Sequence, residues 1–234
     1  ICGRIDGIRM SRVFNGSTDR LDSSSTIITT VPLTVSAWYK FTFSRAGTIN
    51  TIIMLGAAAT NDNSYSFDVH TTLEVIERDT GNAIANDTSG ISAFDNGNWR
   101  LVTGVFASHS DRRAYRDGQN KGTSTTAKTT TATSVIRLGM DLTGGSVFAG
   151  LLAHVAIWNV ALNDAEVNSL KYLFPNQVQL ANLVNYWPLT GNQSPEPDYG
   201  SGNLPLTVTG TTFSTDNPNI AGTQIIQLMG GSAS

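Results

Sequence analysis

Cysteine occurs once in the 234 residues, at Cys2, so the chain can close no disulfide within itself. That excludes the small disulfide-stapled scaffold, and a chain of this length with 40% apolar residues can hold together on its own core. Charge is scarce as well, at 14% of residues against roughly 25% in ordinary soluble domains. The net charge is -3 and no basic stripe is visible, which argues against a nucleic-acid partner. No apolar run approaches the roughly 18 residues of a membrane-spanning helix, so no membrane insertion is expected. Ile1 to Arg9 is too short and too polar for a signal peptide. It reads as an N-terminal extension or remnant, with Met10 as a possible natural start.

Thr, Ser, Asn and Gly take the place of the missing charges. They suit strands and turns better than amphipathic helices, which need Glu, Lys and Arg on the wet face. Leu33 to Phe41 alternates with period two and places Leu33, Val35, Ala37, Tyr39 and Phe41 on one face. Trp99 to Ala107 is apolar on both faces, with Trp99, Leu101 and Val105 on one and Val102 and Phe106 on the other, as in a strand covered on both sides. Val147 to Trp158 has the same character. Strict alternation assigns Val147, Ala149, Leu151, Ala153, Val155 and Ile157 to one face and Phe148, Leu152 and Trp158 to the other.

Shorter strands are predicted over Ser11–Phe14, Thr26–Thr30, Thr51–Gly56, Ser64–His70, Thr72–Glu77, Arg113–Arg116, Ser134–Gly139, Leu183–Trp187 and Leu206–Phe213. Asp79-Thr80-Gly81-Asn82, Asp95-Asn96-Gly97-Asn98 and Asp117-Gly118-Gln119-Asn120 supply turns between them. One helix is predicted. Asn163 and Glu166 form a capping box, Val167, Leu170 and Leu173 or Phe174 form the stripe, and Pro175 stops it. The Thr- and Ser-rich run from Gly122 to Ser134 reads as an exposed edge and loop. Residues 215–234 read as a C-terminal tail whose Ile225, Ile226, Leu228 and Met229 would pack on the domain or on a partner.

The order of motifs carries a resemblance. It runs through Phe14-Asn15-Gly16-Ser17-Thr18-Asp19, Leu33 to Phe41, Asn98 to Phe106, Arg113 to Gly118, Ile136 to Gly139, Phe148-Ala149-Gly150, His154 to Asn159 and Leu183 to Leu189. The chain resembles a laminin-G-like or pentraxin-like domain of the concanavalin A-like superfamily, over residues 10–214. The resemblance implies an all-β, two-sheet antiparallel jelly-roll sandwich with six or seven strands per sheet, one short helix, and paired N- and C-terminal strands. It also implies a binding surface on the concave sheet and its rim loops, and a rim calcium ion for which Asp19, Asp141 and Asp198 are the candidate ligands. Tyr65, Tyr115, Tyr199 and Trp38 are candidate sugar platforms, with Asn61 and Asp62 as nearby polar partners.

The superfamily also holds glycosidases, which need two carboxylates flanking the scissile bond. Glu74 and Glu77 come nearest, but on a strand they face opposite sides and read as a solvated hairpin end. His70, His109 and His154 are scattered without zinc spacing, and His154 reads as a hydrogen-bonded core histidine. No serine lies in a Gly-x-Ser-x-Gly context. The expected function is therefore a non-catalytic surface-binding module at an extracellular or particle surface, with a glycan or surface protein as partner. The alternative is a phage or virus decoration protein that contacts capsid or tail proteins or self-associates. A glycoside hydrolase ranks third.

Overall fold

Alternating apolar and polar residues give strands along nearly the whole chain. The computed structural model describes residues 10–42, 48–57, 60–80, 84–92, 97–131, 133–191 and 193–221. The expected N-terminal extension, the Gly81-Asn82 and Asp95-Asn96 halves of two turns, and the apolar tail cluster Ile225–Met229 lie outside the described residues.

The strands are β1 (Ser11–Asn15), β2 (Arg20–Ser23), β3 (Leu33–Lys40), β4 (Asn50–Gly56), β5 (Ser64–Val69), β6 (Thr72–Arg78), β7 (Ile84–Ser92), β8 (Arg100–Ser108), β9 (Asp111–Arg116), β10 (Asn120–Ser124), β11 (Val135–Leu138), β12 (Ala149–Trp158), β13 (Leu183–Trp187), β14 (Thr207–Thr209) and β15 (Thr212–Ser214), with one helix, α1 (Asp164–Ser169). Among the described residues they form two antiparallel sheets. The first has eight strands in the order β10-β9-β8-β3-β12-β1-β15, with β13 beside β12; the second has seven, β14-β2-β11-β4-β5-β6-β7. This is the expected jelly-roll sandwich, with eight and seven strands where six or seven were anticipated.

Three local departures from the sequence reading have physical causes. Thr26–Thr30 is not a strand: Thr26 Oγ1 accepts from the Ile28 amide at 3.2 Å and donates to the Ile28 carbonyl at 3.1 Å, so its side chain takes up backbone groups that a ladder would use. Leu206–Phe213 is not one strand but two. β14 pairs with β2 in one sheet and β15 with β1 in the other, so the chain changes sheets at Gly210, where φ is +77°. The β1–β15 pairing joins the N- and C-terminal strands as expected.

The third departure is a bulge in β12. His154 has φ +51°, and the register against β3 shifts between Ala153 and Ala156. The extra residue inverts the parity of everything after it. Phe148, Leu152, Val155 and Ile157 all enter the core between the sheets, while Ala153, Ala156 and Trp158 face the other way. The strict alternation expected from the sequence therefore fails at His154. The histidine itself is 3% exposed, hydrogen-bonded through Nδ1 to Tyr186 Oη at 2.8 Å, and packed on Phe174, which is the core role expected of it.

The core between the sheets contains the predicted face of β3 and the Val102 and Phe106 face of β8. A second apolar cluster lies on the opposite face of the eight-stranded sheet. There Trp38, Leu101, Val105 and Trp158 are covered by Leu162, Val167, Leu170, Phe174 and Val178 of the α1 connection, and by Ile220. The α1 capping box is present, with Asn163 accepting from the Glu166 amide and Glu166 from the Asn163 amide. The helix ends at Ser169, and Pro175 opens a short 3-10 turn, Pro175–Gln177. Trp158 and Trp187 are both fully buried and donate their indole N–H to the Val178 and Leu204 carbonyls.

Candidate functional site

The two outer faces of the sandwich differ in kind. The eight-stranded sheet buries its outer face under the helical connection. The seven-stranded sheet turns outward the residues that alternate with its core positions: Arg20 and Asp22 on β2, Arg137 on β11, Met54 on β4, Ser66 and Asp68 on β5, and Glu74, Ile76 and Arg78 on β6. The register aligns Asp22 with Arg137, Arg137 with Met54, Met54 with Ser66, and Ser66 with Ile76, a mixed row across five strands in which Met54, Ser66 and Ile76 are buried and the β2–β11 end, with Asp22 and Arg137, is half-buried and reaches the surface.

One end of this face holds a recess of about 300 Å³, lined by Asp22, Ser23, Ser24, Val135, Ile136, Arg137 and Leu142. Arg137 organises it. Its Nε donates to Asp22 Oδ1 at 2.5 Å, and its Nη1 donates to the carbonyls of Asp141 and Leu142 at 3.0 and 3.1 Å. Arg20 Nε donates to the other Asp22 oxygen at 2.8 Å. The guanidinium is thus fixed before any ligand arrives, which lowers the entropic cost of using it. Val135 and Leu142 add apolar surface beside the Ser23 and Ser24 hydroxyls, the mixture that a sugar ring with its C–H and O–H faces requires.

Beside the recess, Asp141 gathers its own loop. Its carboxylate accepts from the Thr143, Gly145 and Ser146 amides, from Thr143 Oγ1 and from Asn61 Nδ2. Burial acts to raise its pKa, but these hydrogen bonds outweigh burial and hold the carboxyl below its ordinary range. Of the residues singled out in the sequence, Asn61 and Asp141 therefore meet at this rim, and Asp62 follows Asn61 in the same loop.

The others do not join them. Asp198 accepts from the Tyr186, Gly200 and Leu204 amides and from Asn185 Nδ2, bracing the loop after β13. Asp19 accepts from the Asn15 amide at 2.9 Å and stands against Gly210, where an added Cβ would lie 2.2 Å from its Oδ1. Calcium takes roughly six to eight oxygens. Asp19, Asp141 and Asp198 sit at three separate places, Asp141 and Asp198 spend their oxygens on N–H donors, and among the described residues no three His, Cys, Asp or Glu converge. These residues do not fit a shared calcium ion.

Tyr65 and Tyr115 are buried and present no ring to a ligand. Tyr65 lies in the inter-sheet core against Phe106, and Tyr115 donates to Asp164 at the start of α1. Trp38 is likewise buried, under the helical connection. Tyr199 is partly exposed, beside Asp198 and away from the recess. Glu74 and Glu77 do face opposite sides. Glu77, however, is not solvated: it is fully buried, with Arg112 Nη1 at 3.0 Å and His109 Nδ1 at 2.5 Å.

The sequence reading missed Arg20, Asp22, Arg137, Asp68 and Arg78. The alternation of Ser64-Tyr65-Ser66-Phe67-Asp68-Val69 held a signal, since it sets Asp68 opposite three core residues. The contribution of β2 left almost none, because four residues, Arg-Leu-Asp-Ser, carry too little pattern.

A laminin-G-type family model, described as the concanavalin A-like lectin/glucanases superfamily, matches residues 15–168, more than half of the chain. The chain belongs to this superfamily. Several solved structures share the superfamily fold with it. A heptameric SAP-like pentraxin from Limulus polyphemus has a TM-score of 0.58 at 17% identity, covering 70% of this chain and 83% of the pentraxin. Domain 4 of an extracellular arabinanase from Geobacillus stearothermophilus, solved with arabinotriose, has a TM-score of 0.56 at 16% identity, covering 69% and 76%. The CBM40 of a Ruminococcus gnavus IT-sialidase, solved with α2,3-sialyllactose, has a TM-score of 0.54 at 12% identity, covering 70% and 98%. At these identities the likeness extends to the fold. No curated protein sequence matches the chain significantly.

Proposed function

We propose that the protein is a non-catalytic glycan-binding module at an extracellular surface, and that it binds sugar on the outer face of the seven-stranded sheet at the recess beside Arg137. The observation that carries this reading is the half-buried β2–β11 end of that face, where a pre-positioned guanidinium, a carboxylate, two serine hydroxyls and apolar surface surround one recess. The superfamily membership and the oligosaccharides bound by two structural neighbours support it. Among the described residues no helix is long and apolar enough to cross a membrane.

The test is a glycan array with the wild-type protein, followed by calorimetry with the best ligand on Arg137→Gln and Asp22→Asn. Losing a hydrogen bond to a charged group costs about 1.5–3 kcal/mol, so each variant should bind at least tenfold more weakly while its thermal unfolding stays cooperative. A protein silent on the array, or variants that bind like the wild type, would sink the proposal. Measurable hydrolysis of the bound glycan would overturn its non-catalytic part.

A further inference from the structure

The acceptors around the Arg137 recess are already taken, and its open groups are donors. Asp22, the one carboxylate in the lining, receives a guanidinium on each oxygen: Arg137 Nε on Oδ1 at 2.5 Å and Arg20 Nε on Oδ2 at 2.8 Å. The carbonyls of Asp141 and Leu142 accept from Arg137 Nη1. The Asp141 carboxylate, beside the recess, accepts three hydrogen bonds on Oδ1 and two on Oδ2. Among the described residues, neither Arg137 Nη2 nor Arg20 Nη2 makes a hydrogen bond. Both side chains reach solvent, Arg137 at 22% and Arg20 at 33% exposure, so a ligand can meet these nitrogens. Ser23 Oγ accepts from the Ser25 amide and keeps its own proton to donate, and the Ser24 hydroxyl beside it is exposed.

We propose that the recess selects sugars that carry an oxyanion, a carboxylate or a sulfate ester, and that Arg137 Nη2 is the group that receives it. This rests on the reading of the recess as the glycan-binding surface. A neutral sugar hydroxyl both donates and accepts, so a site that reads it needs acceptors as well as donors. A carboxylate or sulfate ester only accepts, and it matches a site whose open groups are N–H and O–H. The balance of charge points the same way. Two guanidiniums share the single carboxylate of Asp22, which leaves one positive charge in excess, while the negative charge of Asp141 is held by the donors of its own loop and by Asn61. Arg137 is anchored at Nε and Nη1, so Nη2 can take a ligand without rearrangement. The whole chain carries a net charge of -3, so its general field repels anions and an acid preference must come from a local site.

The experiment uses the full chain on a glycan array that includes acidic probes paired with neutral counterparts: sialyllactose and sulfolactose against lactose, and trigalacturonate against its methyl ester. At least one acidic probe should bind at least tenfold more tightly than its counterpart, as one charge-assisted hydrogen bond provides. A preference confined to sialyllactose and trigalacturonate assigns a carboxylate, and one confined to sulfolactose assigns a sulfate ester. Raising the salt from about 50 to about 500 mM should narrow the difference, because these arginines are partly exposed. Arg137→Gln should abolish it, and Arg20→Gln, at the more exposed arginine, should reduce it several-fold, with cooperative thermal unfolding kept in both. Hits confined to neutral probes, or counterparts bound as tightly as the acids, would overturn the proposal and leave the glycan reading standing. An acid preference unchanged in both folded variants would overturn it as well. Silence across the whole array would overturn it together with the glycan reading.

Discussion

Glu77 of β6 and Arg112 of β9 pair at 3.0 Å between the two sheets, with neither side chain exposed. Around them the Thr130 amide donates to Glu77, while Arg112 reaches Ser124 Oγ and the carbonyls of His109 and Thr126. The pair therefore ties both sheets to the Thr-rich segment. Removing one partner leaves an uncompensated buried charge, at a cost of about 3–5 kcal/mol. Glu77→Leu and Arg112→Met should each lower denaturant-measured stability by that amount, and the double variant Glu77→Leu/Arg112→Met should lose less than the two single losses summed. Additive losses would show that the charges are not coupled.

Gly150 lies in β12 beside the end of its neighbour β3, with φ +146° and no room for a side chain. An added Cβ would stand 2.3 Å from the Lys40 carbonyl oxygen. Gly150→Ala should destabilise the fold by about 1–3 kcal/mol through overpacking and backbone strain together. A thermal midpoint equal to wild type would contradict the close approach.

The bulge at His154 makes a different demand. At φ +51° a β-branched side chain is strained, whereas Asn tolerates that region. Both substitutions lose the Tyr186 hydrogen bond. His154→Val should therefore be less stable than His154→Asn by about 1–3 kcal/mol, and equal stabilities would rule out backbone strain at this position.

Asp141 couples its loop to acid. Its folded pKa lies below the ordinary 3.8, so its stabilisation is complete at neutral pH and is lost as pH falls below about 4. Protection factors of the Thr143, Gly145 and Ser146 amides, whose N–H groups it accepts, should fall in that window once the intrinsic pH dependence of exchange is divided out. Asp141→Ala should show the faster exchange already at pH 7, and exchange indifferent to both changes would refute the role.

Calcium should have little effect. Since Asp141 and Asp198 are saturated by N–H donors and Asp19 stands apart from both, millimolar calcium should leave the thermal midpoint within about 1 °C of its value in EDTA, and glycan affinity should be the same in both. A rise of several degrees with calcium would overturn this.

The sequence by itself determined the two-sheet sandwich, because period two is a property of the chain: Leu33 to Phe41 can bury Leu33, Val35, Ala37, Tyr39 and Phe41 together only as a strand. It also determined the capping box at Asn163 and the Asp117-Gly118 turn, where both residues have positive φ, since these depend on residues within one or two turns of each other. It separated Glu74 from Glu77. It did not determine where Glu77 goes, because Arg112 lies 35 residues away and in the other sheet. Tertiary structure alone decided that a helical connection seals one outer face, that β14 and β15 part at Gly210, and that His154 inverts the faces of β12. It also decided that Asp22 and Arg137, more than a hundred residues apart, line one recess with Asp141 beside it. Strand pairing sets these relations. Short strands such as β2 are chosen by the neighbours they can bond to rather than by their own four residues.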